Sequence, residues 1–415
     1  MKVNMENNEI TKTNKIKVIV ITLLIFIVSI AGISYAYFTI QITGNDTASS
    51  MRLSTANMSL IYNDVQIASG EYVTPGWSET KTLTVTNNGN VTSDYIIKFR
   101  ELTNTIIYGE LVLSATCSSS SGTCDNLPER AVHSASTEIT NAYMYGPISI
   151  DPGVTHTYTL TIEFIETGSN QNYNQNKYFN GTLNIGDGTA TPESCFTISN
   201  FTSSIVQIAN YDETCGSDVI IPSVINGKTI SRIYGSGSNG AFNNKGLTSV
   251  IIPNSVTTIG SSAFSSNQLT SVVIPNSVIT LRGFSNNQLV SAVIPNSVTT
   301  LGGFSSNQLT SVAIPSSVTT IEGNAFDHNQ LTLVIIPSSV TTIESSAFYN
   351  NQLVSITIPN SVTTIGNQAF LSNQLTSVTI EGKSSSGDFT SYGSNIWGWA
   401  TGYSDSNIVW TGSGS

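Results

Sequence analysis

Charged side chains are scarce in this 415-residue chain. Only 10% of the residues are Asp, Glu, Lys or Arg, and 15 basic residues face 26 acidic ones, which gives a net charge of −11. A protein that binds the phosphate backbone of a nucleic acid needs clustered cations, so the excess of acidic residues excludes nucleic acid as an expected partner. The few histidines, His133, His156 and His328, lie in different segments, so no local His metal site is indicated.

Motifs for catalysis and cofactor binding are missing as well. Residues 226–229 end in Gly-Lys-Thr, but the first glycine of a phosphate-binding loop is absent. In residues 247–380 the acidic side chains are Glu322, Asp327 and Glu344, so no carboxylate pair recurs for glycoside hydrolysis. The sequence therefore predicts a protein that is not an enzyme, with no catalytic residue, cofactor or metal.

An apolar run near the N-terminus is a targeting signal. Residues 18–33 carry no charge, follow several lysines and precede small residues that end at Ala36. This order of basic, apolar and small residues is typical of export. We expect residues 1–36 to be a signal peptide cleaved between Ala36 and Tyr37, or an uncleaved anchor that spans the membrane with residues 18–40. Both outcomes place the remainder on the extracellular side of a plasma membrane or in the medium.

The cysteines form two local pairs in the sequence. Cys117 and Cys124 close one short loop, and Cys195 and Cys215 close another. Neither pair has Cys-x-x-Cys spacing, which disfavours a zinc site. In an exported chain this pattern favours two structural disulfides, although free thiols and the other pairings stay open at this point.

Alternating strands and turns fill residues 37–190. Residues 80–86 (TKTLTVT) and 95–99 (YIIKF) flank an Asn-Asn-Gly-Asn turn, which is typical of a hairpin. A second Pro-Gly turn precedes residues 155–164 (THTYTLTIEF), which alternate in the same way. This spacing predicts a β-sandwich of two sheets.

An internal repeat organises the chain from residue 247 onward. Its first copy reads LTSVIIPNSVTTIGSSAFSSNQ, and the copies restart at intervals of 22, 20, 20, 22, 22 and 22 residues. The first residues of the copies are Leu247, Leu269, Leu289, Leu309, Leu331, Leu353 and Leu375. A period in this range is typical of a solenoid whose coils bury one face against their neighbours.

The sequence thus predicts a mainly β protein built from several units in series. A signal or membrane segment (residues 1–36) precedes the β-sandwich domain (37–190). An N-terminal cap (191–246), the solenoid of repeats (247–381) and a C-terminal cap (382–415) follow.

Two columns of identical residues predict how the coils stack. The phenylalanines should form a continuous aromatic core, and each asparagine should pair with backbone groups of adjacent coils. The phenylalanine column is Phe242, Phe264, Phe284, Phe304, Phe326, Phe348 and Phe370. The asparagine column is Asn267, Asn287, Asn307, Asn329, Asn351 and Asn373.

The repeat LTSVxIPxSVTTIxxxAFxxNQ resembles the BspA-type leucine-rich repeat of bacterial surface proteins. The resemblance covers about residues 219–381, and residues 191–233 resemble the cap that precedes such arrays. It implies a leucine-rich-repeat solenoid on an exported or surface-attached protein that serves in adhesion or protein binding.

The front part of the chain is similar to the TasA and camelysin class of exported bacterial β-sandwich proteins. The similarity covers roughly residues 18–186 and is carried by GISYAYF at 32–38 and by the Pro75-Gly76 turn with its following strand. It implies a structural subunit of an extracellular matrix or fibre, assembled through the sandwich.

An apolar column on the outer face of the repeats is the candidate binding face. The column contains Ile251, Val273, Val293, Ala313 and Ile335, and Leu333 of the neighbouring serine column adds to the same face. We expect this face to bind a protein ligand on a host, a neighbouring cell or the matrix. The alternative is that β-branched residues only stabilise a repetitive sheet.

Tryptophans are concentrated in the C-terminal cap. Trp397, Trp399 and Trp410 lie among Gly and Ser residues. They are expected to pack over the last coil, and carbohydrate binding through stacked aromatic rings is the alternative.

Overall fold

Most of the chain beyond its first fifty residues is described by the computed structural model. The described residues are 50–54, 59–63, 65–72, 75–106, 109–132, 135–166, 174, 177–200, 206–236 and 239–412. The predicted export segment, with Ala36, Tyr37 and residues 18–40, lies outside them. Within the described ranges no helix has both the length and the apolar character needed to cross a bilayer.

Strands β1 to β10 form the predicted sandwich. One sheet has the order β1-β2-β4-β9-β6-β7 and the other the order β3-β10-β5-β8. The strands are β1 (Ser50–Ser54), β2 (Ser59–Asn63), β3 (Val65–Tyr72), β4 (Ser78–Asn87), β5 (Ser93–Asn104), β6 (Leu111–Ser119), β7 (Leu127–Ala131), β8 (Ala135–Ile150), β9 (Thr155–Phe164) and β10 (Tyr178–Asp187).

Period-two alternation determines which side chains fill the sandwich core. Along β9 every second residue is buried, so Tyr158, Leu160 and Ile162 point inward while their neighbours face outward. A polar cluster sits within this core. The Tyr95 hydroxyl lies 2.9 Å from His156 Nδ1 and 2.7 Å from the Tyr158 hydroxyl, and burial lowers the pKa of His156.

The N-terminal cap begins the solenoid with strands that differ from the repeats. Antiparallel β11 and β12 lead into β15, which pairs in parallel with Thr258–Ile259 of the first repeat. Short 3-10 turns cover Glu193–Cys195 and Glu213–Cys215. The strands are β11 (Phe196–Asn200), β12 (Val206–Tyr211), β13 (Asp218–Ile220), β14 (Val224–Ile225), β15 (Lys228–Ile233), β16 (Gly235–Ser236) and β17 (Asn239–Gly240).

The repeats form a β-solenoid of short parallel strands, as predicted. One continuous sheet, called here the threonine-side sheet, contains β19 to β23 and β25, with threonine opposite threonine in each pair. The strands are β18 (Ser249–Ile251), β19 (Thr258–Ile259), β20 (Thr280–Leu281), β21 (Thr300–Leu301), β22 (Thr320–Ile321), β23 (Thr342–Ile343), β24 (Ser355–Ile358), β25 (Thr364–Ile365), β26 (Phe370–Leu375) and β27 (Ser377–Ile380).

Two coils are shorter than the rest and turn on glycine. Gly283 (φ 94°) and Gly303 (φ 77°) adopt the left-handed backbone region. A Cβ atom on Gly303 would lie 2.2 Å from the backbone nitrogen of Gly283. Only glycine therefore fits where consecutive short coils stack this closely.

The C-terminal segment makes one more coil rather than a separate cap of different architecture. Strands β28 (Ser391–Tyr392), β29 (Trp397–Trp399) and β30 (Ile408–Trp410) each add to a sheet of the preceding coils. Short 3-10 turns at Ser386–Asp388 and Asp405–Asn407 join them. The end of the solenoid is thus closed by repeat-like geometry without the repeat sequence.

Candidate functional site

The asparagine column holds the coils together and is not available to a ligand. The Asn307 amide nitrogen donates to the carbonyl oxygens of Phe284 (3.0 Å) and Phe304 (3.1 Å), and its oxygen accepts from the Leu289 N–H (3.0 Å). The same bonds recur at the other column positions, such as Asn267. The predicted ladder is confirmed, and each buried amide satisfies backbone groups of neighbouring coils.

The phenylalanine column is likewise core. All of its rings are fully buried, and successive rings stack with centroids 4.9 to 5.8 Å apart. The predicted aromatic core is confirmed, and its rings are not accessible to a ligand.

The two predicted cysteine pairs are disulfides. Cys117–Cys124 links the end of β6 to the following loop. Cys195–Cys215 joins the two 3-10 turns of the cap, and Cys195 packs into the solenoid core. The sandwich and the cap therefore each carry one covalent crosslink.

The predicted binding face lies on the side of the solenoid that carries β18, β24 and β27, called here the strand-side face. Its outward column is in register, because parallel bridges join Val273 to Val293 and Ala313 to Ile335. Exposure along this column changes sharply. Ile251 and Val273 are only 6% and 5% exposed, Val293 and Ala313 are half-buried, and Ile335 is 45% exposed.

The prediction that the whole column is open is therefore wrong at Ile251 and Val273. Both side chains are buried, yet neither packs into the solenoid core, which takes their neighbours Val272 and Ile274. In the serine column beside them Ser291 and Ser311 are buried, whereas Ser249 on the first coil and Ser355 on a later coil are exposed. A cover therefore crosses this face from Ile251 and Val273 to Ser291 and Ser311, and the later coils are open.

The cover is the sandwich of the same chain. Val290 packs against the sandwich core, and two crevices lined by residues of both domains flank the contact. On the sandwich side Ile96 and Val112 are buried but belong to neither core. We call the contact made by Ile96, Val112, Ile251 and Val273 the interdomain seam.

The two sandwich residues of the seam were not identified from the sequence, although a signal was present. Ile96 follows a buried Tyr95 and precedes a buried Ile97, and Val112 lies between buried Leu111 and Leu113. In a strand with one face in solvent, apolar and polar residues alternate. Consecutive apolar residues therefore indicate that both faces of the strand are covered.

The open remainder of the strand-side face is apolar at its start and uncharged throughout. Leu333 replaces the serine found at this position in the other repeats, and Ile335 stands beside it on the same coil. Ser355 and Thr357 continue the face on the next coil and are exposed. We call Leu333, Ile335, Ser355 and Thr357 the open patch.

The charged residues of the repeats lie away from the open patch. Arg282 reaches across the short coil at Gly302 and pairs with both carboxylate oxygens of Glu322, with 2.6 Å between its Nε and one of them. Glu322 raises the pKa of Arg282 through this bond. This bidentate pair links the turns that follow the threonine-side strands in three successive coils.

The remaining candidate groups do not assemble into a chemical site. His156 is buried in the sandwich, His328 pairs with Asp327 at 2.6 Å on the surface, and His133 lies outside the described residues. In the part of the chain that is described, no three His, Cys, Asp or Glu residues lie close enough together to hold a metal ion.

The C-terminal tryptophans are mainly packing residues. Trp397 is buried on the end of the phenylalanine column, and its indole N–H donates to the Tyr392 hydroxyl at 2.9 Å. Trp399 and Trp410 are half-buried, and the Trp399 N–H donates to Asp405. Trp397 therefore has no free ring face on which a sugar could stack.

Comparison with known proteins agrees with this geometry. The family of the BspA type leucine rich repeat region matches residues 235–305 and 302–396, with 6 copies. No curated protein matches the chain.

Several solved structures are similar to it. A leucine rich cell surface protein from Faecalibacterium prausnitzii is 21% identical over 47% of this chain, with a TM-score of 0.30. This chain covers 55% of that protein. A leucine-rich repeat protein from Bacteroides ovatus is 17% identical over 52% of this chain and 70% of its own, with a TM-score of 0.32. One from Eubacterium ventriosum is 21% identical over 44% of this chain and 71% of its own, with a TM-score of 0.25.

The repeated Leu, Phe and Asn columns, their β-solenoid geometry and the family match coincide on one segment. On residues 235–396 this chain matches the BspA-type leucine-rich-repeat family.

Proposed function

We propose that this chain is a non-enzymatic surface or secreted bacterial protein that binds a protein partner through the strand-side face, in adhesion. The observation that carries the proposal is the open patch. Leu333 and Ile335 place two large aliphatic side chains together on a face whose equivalent positions elsewhere are serine, threonine or covered. Apolar groups on an otherwise hydroxyl-bearing surface are typical of the centre of a protein interface.

Export is part of the same proposal. It is supported by the apolar run at residues 18–33, by the basic residues before it and by two disulfides. Disulfides persist in oxidising compartments and are rare in the cytosol. The proposed location is the extracellular side of a bacterial plasma membrane or the medium.

The test compares two surface variants in the chain from residue 37 to 415. Ile335→Lys changes the open patch, and Ile279→Lys changes an equally exposed isoleucine beside the threonine-side sheet. Binding to intact cells and to immobilised extracellular-matrix proteins is measured for both. We expect saturable binding by the parent chain, a loss of about tenfold or more in Ile335→Lys, and no change in Ile279→Lys.

Equal binding by the two variants would exclude the open patch as the site. Absence of saturable binding by the parent chain on all of these targets would count against adhesion itself.

A second candidate function is a fibre or matrix subunit assembled through the sandwich, as the TasA-like similarity implies. The observation that favours it is β8, a 16-residue strand at the edge of its sheet that pairs only with β5 in the described part of the sandwich. Long edge strands are templates for pairing with another chain. Polymers that grow with protein concentration, seen by light scattering of residues 37–415, are expected from this candidate and not from the first.

A further inference from the structure

The sandwich and the solenoid meet through few residues and a short connection. Gly188 N–H donates to the Asp94 carbonyl oxygen, which fixes the end of the sandwich. The Thr191 N–H donates to the Ile220 carbonyl oxygen of the cap at 2.9 Å, and the Thr191 hydroxyl oxygen accepts from the Ile220 N–H at 3.0 Å. The Thr189 N–H donates to the nearby Asp187 carboxylate at 2.8 Å, within the same turn. Thr189 and Ala190 therefore connect the last residue bonded to another sandwich strand with the first residue bonded to the cap, and they form a hinge.

The seam itself is loosely packed. A crevice of about 580 Å³ opens on one side of it, between Arg130 and the serines of the covered coils. A second crevice of about 680 Å³ opens on the other side, between Lys98 and Asp218. Domain cores leave few voids larger than one water molecule, so this contact has the character of a transient interface and not of a core.

The closed arrangement also includes an unfavourable charge. Lys98 lies in the second crevice, and burial lowers its pKa, while the field of Asp218 across the seam acts in the opposite direction. A partly buried ammonium group loses hydration that Asp218 restores only in part. Undocking the sandwich returns Lys98 to water, which favours the open arrangement.

We infer that the sandwich is a hinged cover on the strand-side face, and that a partner which engages the covered coils must displace it. The inference rests on the proposed function, because it concerns regulation of the same face. The covered coils carry Ile251, Val273, Val293 and Ala313, which continue the column of Ile335 in register. Displacement would thus extend the open patch into one unbroken apolar column.

Closure reduces the apparent affinity of such a partner. When only a fraction of molecules is open, the apparent affinity for the full face equals the intrinsic affinity multiplied by that fraction. The open patch remains accessible throughout and supplies the first contact. A partner that binds the patch first and then the uncovered column shifts the hinge toward the open state.

The test uses two variants that disrupt the seam from opposite sides, each with a matched control. Val273→Lys places a charge in the seam from the solenoid, and Ile335→Lys places the same charge in the same column on an open coil. Ile96→Lys places a charge in the seam from the sandwich. Its control, Val91→Lys, changes an exposed valine of the same domain. Val273 and Ile96 belong to neither core, so both domains should stay folded.

The readouts need no partner. They are the rate of thermolysin cleavage at residues 189–190, the rate of Lys98 acetylation by acetic anhydride followed by mass spectrometry, and the radius of gyration by small-angle X-ray scattering. We expect Val273→Lys and Ile96→Lys to raise both rates about tenfold or more and to enlarge the radius, because burying an unpaired charge is costly. The two controls should match the parent chain.

Unchanged rates and radius in both seam variants, with circular dichroism showing folded protein, would overturn the hinged cover and leave the open patch as the proposed site. Conversely, opening by the seam variants without any effect of Ile335→Lys on partner binding would support the hinge and reject the proposed function.

Discussion

The Trp397 ring stacks on the Phe370 ring with centroids 5.3 Å apart and planes 14° apart. Trp397 thereby occupies the next position of the phenylalanine column, although the sequence around it lacks the repeat. The pairing of β26 with β29 sets this register, with Phe370 opposite Trp397. The tryptophan that suggested a sugar-binding tail therefore closes the solenoid core.

Replacing this tryptophan should destabilise the solenoid. Trp397→Ala removes the ring that covers Phe370, and the expected loss in the free energy of unfolding is about 3–5 kcal/mol. Trp397→Phe keeps an aromatic ring in the column and should lose much less. Chemical denaturation measures both, with Tyr403→Ala as an exposed control. A loss in Trp397→Ala no greater than in the control would contradict the capping role.

The asparagine ladder should be far more sensitive than the residues beside it. Asn307→Ala leaves the Leu289 N–H without its acceptor, at about 1–3 kcal/mol, and removes one of two amide donors from each of the Phe284 and Phe304 carbonyl oxygens, which keep Asn287 and Asn329. Gln308→Ala, at the exposed next residue, should be nearly neutral. Thermal unfolding of the two variants compares them, and similar melting temperatures would show that the ladder adds little to stability.

Alanine substitutions at two glycines with positive φ distinguish the cost of backbone strain from the cost of a steric clash. Gly246 (φ 68°) has open space around an added Cβ, so Gly246→Ala should cost only about 1–2 kcal/mol of backbone strain. Gly303→Ala adds a clash with the Gly283 backbone and should cost more than about 3 kcal/mol. Denaturant midpoints test the order, and equal losses would mean that the short coils relax to accept a side chain.

Acid should weaken the sandwich through His156. Burial lowers the pKa of this residue below its ordinary value of 6.5, so the unfolded chain binds a proton more readily than the folded one. The stabilising contribution of neutral His156 is complete above about pH 6.5 and is lost as the pH falls below it. His156→Gln should reduce the difference between melting temperatures at about pH 7.5 and pH 5.5. An unchanged difference would assign the acid sensitivity to other groups.

Partner binding through the open patch should depend little on salt. The patch carries no charge, so neither long-range steering nor its screening is expected. Association rates by surface plasmon resonance at about 50 and 300 mM NaCl should agree within about twofold. A steep fall with salt would place the contact on the charged sandwich instead.

Much of the fold follows directly from the sequence. The leucine, phenylalanine and asparagine columns each repeat with the coil period, so a single geometry satisfies all of them, and the two disulfides join cysteines that are already close along the chain. The two 20-residue intervals, with Gly283 in one unit and Gly302-Gly303 in the other, likewise indicate tighter turns. Local and nearest-neighbour contacts of this kind are encoded in the spacing itself.

The exposure of the candidate binding face was decided by tertiary structure alone. Nothing in the repeat distinguishes Val273 from Ile335, which hold the same position of their coils, yet one is covered and the other is open. The difference arises from the sandwich, whose seam residues Ile96 and Val112 precede Val273 by 177 and 161 residues in the sequence. The two surfaces of an interdomain contact share no sequence repeat, so the repeat pattern cannot predict which residues meet. The only sign of the contact in the sequence is the run of consecutive apolar residues around Ile96 and around Val112.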